Sequence, residues 1–364
     1  MKRIAGLAVL SLAIAVTGCA REEASPASVA RDSAGIEILE SLRPAWGSEA
    51  RWRIGPEPLL RIGVSEGDPT REFSGVTGAL RMRDGTVVVA DAGSQEVRFF
   101  GEGGRFLTAV GRRGAGPGEF TGLSGLGRGP DHDIWAWDFS LRRVTWLDAT
   151  GRILRTVSLA PEPPVLSPVG ALPDGSFVLK QLWGAQRVAE ATRTGLRRDP
   201  VAYVRFDSTG ALVDTLGLFP GREVFLTEED GRGVMSTPPF GRNSVAAVWR
   251  GAVLVGAQTI FELEARTADG VLRRILRIPT RDVELRPEEA LAFLEERIAD
   301  ALPRERPGVR RTFEAIPLPA TRPAHGAILV DAAANLWVSE WEPNIRAPAR
   351  WTVLAPDGRW LGDL

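Results

Sequence analysis

Residues 85–111 read GTVVVADAGSQEVRFFGEGGRFLTAVG, and this stretch decides the fold. It starts with the turn residue Gly85 and continues through the apolar run VVVAD, the run EVRFF, a polar turn ending at Gly104 and the run FLTAV. Asp-Gly and similar turns between short apolar runs are typical of antiparallel hairpins. The stretch therefore predicts a meander of short antiparallel strands.

The same pattern recurs along the chain. The two turns of a unit are nineteen residues apart in three units, from 85 to 104, from 132 to 151 and from 251 to 270. An apolar stretch precedes each first turn, so that each unit holds four strands. Four-stranded units recurring at roughly 40–50 residues are typical of β-propeller blades, with a long sandwich or a β-helix as the alternatives. The predicted units are residues 74–111, 121–159, 169–217, 245–278 and 327–362.

A further strand is predicted ahead of the first unit. Residues 58–63 (PLLRIG), followed by Glu72-Phe73, mirror the end of the first unit, and predict the closing strand of another blade. The other strands of that blade would come from segments such as IEIL and RWRI, or from sequence beyond Leu364. We favour the second alternative. The expected fold is thus an all-β propeller of four-stranded antiparallel blades, six-bladed in type, with its last blade incomplete.

The first unit resembles an NHL repeat. Val88–Asp91 supply a strand that ends in Asp, Val97–Phe100 supply an aromatic third strand, and Gly114–Phe120 (GAGPGEF) supply the connection. The second unit keeps Asp138 and departs from the repeat at Leu141. Later units replace the Asp with Gln181, Ala257 or Glu340. The whole chain resembles the six-bladed NHL-type propeller lipoproteins of bacteria, which implies a cell-envelope protein.

The N-terminus reads as a lipoprotein leader. Lys2 and Arg3 precede an apolar run from Ile4 to Val16, which suits a secretory signal, and Val16–Cys19 (VTGC) resembles the bacterial lipobox. The resemblance implies a signal peptide over residues 1–18, acylation of Cys19 with lipids such as palmitate, and a membrane anchor; a plain signal peptide is the alternative. Ala20 stands where inner-membrane retention would need Asp, so we expect the outer membrane, facing the periplasm or the exterior. Residues 19–35 read as a flexible tether.

Composition excludes several function classes. Lys and Arg total 45 against 46 Asp and Glu, so no global charge attracts nucleic acid. His132 and His325 are the only histidines, too few for a three-histidine metal centre. A propeller lyase that binds zinc through histidines is excluded on this ground.

Surplus chain length lies at one end of the predicted blades. The spacing from the turn at 175 to the turn at 210 is 35 residues instead of 19, and further insertions follow 217, occupy 281–326 and span 342–349. The 281–326 insertion contains the one predicted helix, Pro287 to Leu302, with a packed stripe at Leu291, Leu294, Ile298 and Ala301. Loops on a rigid scaffold commonly form binding sites, although loop length also varies among proteins without any functional reason. The candidate binding residues at this end are Arg112, Arg113, Arg142, Trp183 and Trp341.

A metal site is the enzymatic alternative. Asp91, Asp138 and Glu340, with Gln181, end equivalent strands and would form a ring of oxygens around the central channel that suits Ca²⁺. Asp at a strand end also accepts backbone N–H bonds from the following turn. We expect a scaffold without a cofactor that binds a peptide, a glycan or an envelope protein. The alternative is a metal-assisted hydrolase or lyase.

Overall fold

The computed structural model describes residues 26–47, 51–64, 66–163, 166–182, 194–229, 232–342 and 349–364. The first element is a hairpin in which β1 (Ser28–Ser33) runs antiparallel to β2 (Ile36–Ser41). This hairpin includes residues 28–35 of the tether predicted over residues 19–35, which are therefore a paired strand and its turn; residues 19–25 lie outside the described ranges. Its first strand has a polar sequence because most of its side chains are exposed, and backbone pairing alone holds it to β2.

Five four-stranded antiparallel units follow, each formed by one predicted repeat unit; four are separate sheets, and the fourth along the chain shares a sheet with the N-terminal hairpin. We call them blades 1 to 5. Their strands are β3 (Val76–Arg81), β4 (Val87–Asp91), β5 (Glu96–Phe100) and β6 (Phe106–Val110) in blade 1; β7 (Leu123–Arg128), β8 (Ile134–Asp138), β9 (Arg143–Leu147) and β10 (Ile153–Ser158) in blade 2; β11 (Leu166–Ala171), β12 (Phe177–Gln181), β14 (Pro200–Phe206) and β15 (Leu212–Pro220) in blade 3; β18 (Val245–Trp249), β19 (Ala252–Gly256), β20 (Glu262–Arg266) and β21 (Leu272–Arg277) in blade 4; β22 (Ile328–Val330), β23 (Leu336–Ser339), β24 (Trp351–Leu354) and β25 (Trp360–Asp363) in blade 5.

The first strand of every blade faces a common central cavity of about 870 Å³. Its wall includes Ala79, Gly127, Gly170, Val248 and Leu329, one residue from each of the five first strands. Sheets arranged radially around a shared channel are the defining feature of a β-propeller. The prediction of an all-β, propeller-like fold is confirmed.

The hydrophobic core lies between successive blades. Phe177 of blade 3, for example, packs against Trp135, Trp137 and Trp146 of blade 2, with ring centroids 5.1, 6.5 and 6.4 Å apart. Strands covered on both faces bury consecutive residues, which explains the unbroken apolar runs such as IWAW in β8. Side-chain packing between the faces of neighbouring blades, rather than strand pairing, therefore holds successive blades together.

The N-terminal segment does not form the predicted closing blade. β2 pairs in parallel with β21 and extends blade 4 to six strands. The residues that follow β2 pass first along blade 5, where Trp52 stacks on Trp337 with ring centroids 5.9 Å apart. They then reach blade 1, where Leu60 and Ile62 pack against the turn at Gly104. Residues 58–63 form no strand. Nothing among the described residues pairs with them, which corrects the expected closing strand.

The insertions form a small sheet and two helices. β13 (Gly195–Arg197), β16 (Val224–Glu229) and β17 (Arg232–Ser236) pair antiparallel. The 281–326 insertion carries α1 (Pro287–Asp300) and a second helix, α2 (Arg306–Ala315), which the sequence analysis missed. The packed side of α1 contains Ala290 and Leu294, whereas Leu291, expected in the packed stripe, is 61% exposed. Within the described ranges, no helix is long and apolar enough to cross a membrane.

Candidate functional site

The two ends of the blades differ. Because each blade is an antiparallel meander, its first-to-second and third-to-fourth turns lie at one end, which we call the tight-turn face. The second-to-third loops and the connections between blades lie at the other end, which we call the insertion face. The small sheet and both helices lie in second-to-third loops or in connections between blades, and so at the insertion face. The insertion face therefore carries the elaborated surface.

Four aromatic side chains from three connections meet on the insertion face; we call them the aromatic cluster. Phe240, in the connection from blade 3 to blade 4, has its ring centroid 5.2 Å from Trp341 of blade 5 and 5.0 Å from Phe293 of α1. Phe293 in turn lies 6.1 Å from Phe313 of α2. Phe240 is only 4% exposed. The cluster is a packed wall, held from several sides, that ties the helices to the propeller.

Two cavities flank this wall and share Phe240, Phe293, Trp341 and Glu342 as lining. The first, of about 430 Å³, we call the polar chamber. The second, of about 490 Å³, we call the apolar chamber. Their total size is in the range of small-molecule and peptide sites. The charged residues in the lining of the polar chamber are Arg281, Asp282, Glu289, Glu296, Arg322, Glu340 and Arg350, besides the shared Glu342. The apolar chamber is also lined by Pro238, Pro239, Val309, Phe313 and Ile316, together with Thr237, Arg297 and Thr312.

Ion pairs fix most charges of the polar chamber. Arg322 donates to Glu289 Oε1 at 2.8 Å and to the carbonyl oxygen of Asp282 at 3.1 Å. Glu289 also accepts the backbone N–H of Arg286 at 3.1 Å, which caps the start of α1. The chamber wall and the helix terminus are thus one connected network.

Arg281 is the most enclosed cation of this chamber. Its guanidinium donates to Thr352 Oγ1 at 2.5 Å and to Asp363, and it lies 4.8 Å from the ring of Trp360. Its Nη1 is 3.8 Å from Glu340 Oε1. These contacts place Arg281 between blade 5 and the insertion, in a structural position that also contributes charge to the chamber.

Arg350 differs from the other two arginines. It directly precedes β24 of blade 5, and its carbonyl oxygen accepts the N–H of Glu340 at 2.8 Å. Its guanidinium, which is exposed to the polar chamber, makes no hydrogen bond or ion pair with any residue that the structure describes. Among the described residues, Arg350 is the one cation in the lining of the polar chamber without such a partner.

The arginines predicted to bind a ligand do not join this site. Arg112 pairs with Glu119 at 2.6 Å, and Arg113 is exposed on the connection from blade 1 to blade 2. Arg142 donates to the carbonyl oxygens of Ala160 at 2.5 Å and Pro163 at 3.0 Å. Only Trp341, of the predicted residues that the structure describes, lines the two chambers. Trp183 and Cys19 lie outside the described residues.

The carboxylates at the strand ends accept hydrogen bonds from the backbone. Asp91 accepts the N–H groups of Ser74 and Gly75 at 3.2 and 2.7 Å and the hydroxyl of Ser94 at 2.9 Å. Burial would raise the pKa of Asp91, but the hydrogen bonds from Ser94 and the backbone outweigh it and lower that pKa. Asp138 accepts the N–H groups of Thr121 and Leu141. Both carboxylates accept hydrogen bonds from backbone N–H groups, which the sequence analysis gave as the alternative to binding Ca²⁺.

Glu340 does not complete a metal ring. It is about half exposed and faces Arg281 rather than the other two carboxylates. Within the described ranges, no three His, Cys, Asp or Glu side chains lie close enough together to hold a metal ion.

Sequence reasoning missed the role of Arg98. It donates to the carbonyl oxygens of Pro69 at 3.0 Å and Glu72 at 2.6 Å, in the connection that precedes blade 1. Arg143 does the same for blade 2, by donating to the carbonyls of Ala115 and Gly116. The signal was present as one Arg in the third strand of each of the first two units, two register positions apart.

Two basic groups with lowered pKa values are the partly buried Lys180 of blade 3 and the buried His325, which precedes blade 5. Lys180 donates to Asn243 Oδ1 at 2.8 Å, and burial together with the nearby Arg198 lowers its pKa to about 8. His325 is fully buried against Phe261, and burial lowers its pKa to about 4. A Cβ on Gly256 would lie 2.5 Å from its Cε1, so only glycine fits there. Neither group lines either chamber.

Comparisons with known proteins give distant structural likenesses. No family model matches the sequence, and no curated protein matches it. A DUF4221-family member from Bacteroides vulgatus is 12% identical, with 85% of each chain covered and a TM-score of 0.46. A catalytically inactive virginiamycin B lyase from Staphylococcus aureus, crystallised with quinupristin, is 14% identical over 78% of this chain and 68% of that one, with a TM-score of 0.40. At these scores the likenesses carry no argument about activity.

Proposed function

We propose that this chain is a lipid-anchored, extracytoplasmic β-propeller lipoprotein of the six-bladed NHL type that binds a ligand through its insertion face. The anchor is Cys19 of the lipobox-like sequence VTGC, and the expected location is the outer membrane. The ligand site is the pair of chambers on either side of the aromatic cluster.

One observation carries the binding proposal. Phe240, Phe293 and Trp341 come from three separate connections and line both chambers. Aromatic side chains in concave sites contribute a large share of binding energy, because they bury much apolar area at small entropic cost. A preformed wall of this kind supports a binding protein with its site between the helices and blade 5.

The test is capture from an envelope extract with three detergent-solubilised full-length baits. These are the wild type, Trp341→Ala, and the control Phe139→Ala, which removes an exposed aromatic residue of blade 2 outside the chambers. We expect at least one species whose recovery falls about tenfold or more with Trp341→Ala and is unchanged with Phe139→Ala. Equal recovery of every species by all three baits would contradict the proposal.

A further inference from the structure

We infer that the central cavity is a second binding site, which takes the phosphate monoester of a small apolar alcohol at its opening on the tight-turn face. The juxtaposition that carries this inference is three arginines at one end of a cavity with a largely apolar wall: Arg81, Arg83 and Arg128. The site lies at the opposite end of the blades from the two chambers, so it goes beyond the proposed function and does not depend on it.

The cavity opens at the tight-turn face. Its lining contains the end of each first strand and residues of the turn that follows, as in residues 79–83 of blade 1, 127–130 of blade 2 and 328–332 of blade 5. Arg81 and Arg128 are the last residues of β3 and β7, and these strands are in contact with each other. Arg83 lies in the turn after β3. The three positive charges therefore share one part of the opening.

Arg128 is held in place by its neighbours. Its Nη2 donates to the carbonyl oxygen of Arg81 at 2.5 Å, and its own carbonyl oxygen accepts the indole N–H of the buried Trp135 at 3.2 Å. The Nε of Arg128 is buried and has no hydrogen-bond partner among the described residues. One guanidinium of the site is therefore preorganised, which reduces the entropic cost of binding.

None of the three arginines has an ion pair with a residue that the structure describes. The side chains of Arg81 and Arg83 are exposed, line the cavity and donate no hydrogen bond within the described ranges. Asp84 and Asp131, in the turns beside them, lie outside the lining. Guanidinium groups that share a cavity repel one another, so an anion bound among them is stabilised by all three.

The charge of the lining indicates a dianion. Asp331 is the one acid among the described lining residues, and its oxygens accept the side-chain N–H groups of Asn335 at 2.8 Å and Trp337 at 3.0 Å. Three arginines against one aspartate leave two positive charges in the lining. A phosphate monoester carries about 1.5–2 negative charges at pH 7 and three acceptor oxygens, which guanidinium groups bind through paired N–H···O bonds. A carboxylate or a phosphate diester brings a single charge and leaves one cation over.

The apolar wall indicates that the phosphate belongs to an organic molecule. Leu80, Val169, Val248 and Leu329 line the cavity from four different blades, and Leu329 is 54% exposed. Covering such side chains with an apolar group of the ligand is favourable, whereas an inorganic ion leaves them in contact with water. The cavity volume of about 870 Å³ is in the range of small-molecule sites.

The probes are phenyl phosphate, benzoate, methyl phenyl phosphate and inorganic phosphate. Benzoate keeps the ring with a single charge, the diester represents lipid and nucleic-acid phosphates, and inorganic phosphate lacks the ring. Each is titrated calorimetrically into the full-length protein in an uncharged detergent at about 0.15 M salt, which screens isolated surface charges. We expect phenyl phosphate to bind about tenfold or more tightly than each of the other three probes.

Two variants test the arginines. The double variant Arg81→Gln with Arg83→Gln changes exposed side chains that hold no other part of the described chain. It should keep the melting temperature of the wild type and weaken the binding of phenyl phosphate about tenfold or more. The control Arg105→Gln, which changes an exposed arginine of the same face outside the lining, should keep the wild-type affinity.

Each of the following results would overturn the inference. Binding of inorganic phosphate as tight as that of phenyl phosphate would mean an adventitious ion only. Benzoate or the diester binding as tightly as phenyl phosphate would exclude the monoester as the ligand class. No binding of phenyl phosphate, unchanged affinity in the double variant, or an equal loss in Arg105→Gln would exclude the site itself.

Discussion

Phe240 and Trp341 lie with their ring centroids 5.2 Å apart, although one precedes blade 4 and the other follows the second strand of blade 5. Their contact, extended by Phe293 of α1, closes the space between two insertions and leaves a chamber on each side. Because Phe240 is nearly buried, the wall exists before any ligand arrives. Preformed walls of this kind reduce the entropic cost of binding.

Arg142 should matter for folding rather than for binding. Arg142→Met keeps the length of the side chain but removes the donors to the carbonyl oxygens of Ala160 and Pro163. We expect the free energy of unfolding to fall by about 1–3 kcal/mol, the cost of leaving such acceptors unpaired. Urea denaturation measures it. Arg113→Met, at an exposed position, should change stability by less than about 0.5 kcal/mol; equal effects of the two variants would contradict the assignment.

His325 should make the protein lose stability in acid. Its pKa is lowered to about 4 in the folded chain and is near 6.5 when unfolded, so below pH 6.5 the unfolded state binds the proton first. Stability is therefore lost as the pH falls from 6.5 towards 4, by about 3 kcal/mol in total. Urea midpoints at pH 7, 5.5 and 4.5 measure it. His325→Leu should remove this part of the pH dependence, and an unchanged pH profile in that variant would refute the account.

Asp91 should stabilise the fold without a metal ion. Asp91→Ala removes the acceptor of the Ser74, Gly75 and Ser94 bonds, and we expect a loss of about 2–3 kcal/mol. The melting temperature of the wild type should be the same with Ca²⁺ and with a chelator. A rise with Ca²⁺ that disappears in Asp91→Ala would revive the metal alternative.

Cys19 should decide membrane association. The wild type, expressed in a bacterium that processes lipoproteins, should enter the detergent phase of a Triton X-114 separation, because several acyl chains anchor far more strongly than one. Cys19→Ala should move the protein to the aqueous phase. A wild type that remains aqueous would contradict the proposed anchor.

The blades could be predicted from the sequence because their physics is local and repeated. Turn glycines such as Gly85 and Gly104, together with apolar runs covered on both faces, predict unit boundaries close to the observed ones. The first unit was expected at 74–111 and runs from β3 to β6, Val76–Val110. The same reasoning predicts α1, where Pro287 marks the start and Asp300 is the last residue.

The remaining features depend on contacts that sequence patterns do not encode. β1 is polar and exposed, so only its pairing with β2 distinguishes it from a linker. α2 buries no residue fully, which leaves little apolar periodicity to detect. The guanidinium of Arg142 reaches carbonyls in the next connection, and a sequence alone does not show whether such a side chain meets backbone or solvent. Trp341 was predicted; its partners Phe240 and Phe293 were not.

The dissociation constant of the species captured from the envelope tests the central claim most directly, measured for the wild type, for Trp341→Ala and for Arg105→Glu on the tight-turn face. We predict that Trp341→Ala weakens binding by about 2 kcal/mol, or roughly 30-fold, while Arg105→Glu leaves the dissociation constant unchanged. Loss of binding in Arg105→Glu with wild-type affinity in Trp341→Ala would place the site on the opposite face and contradict the account.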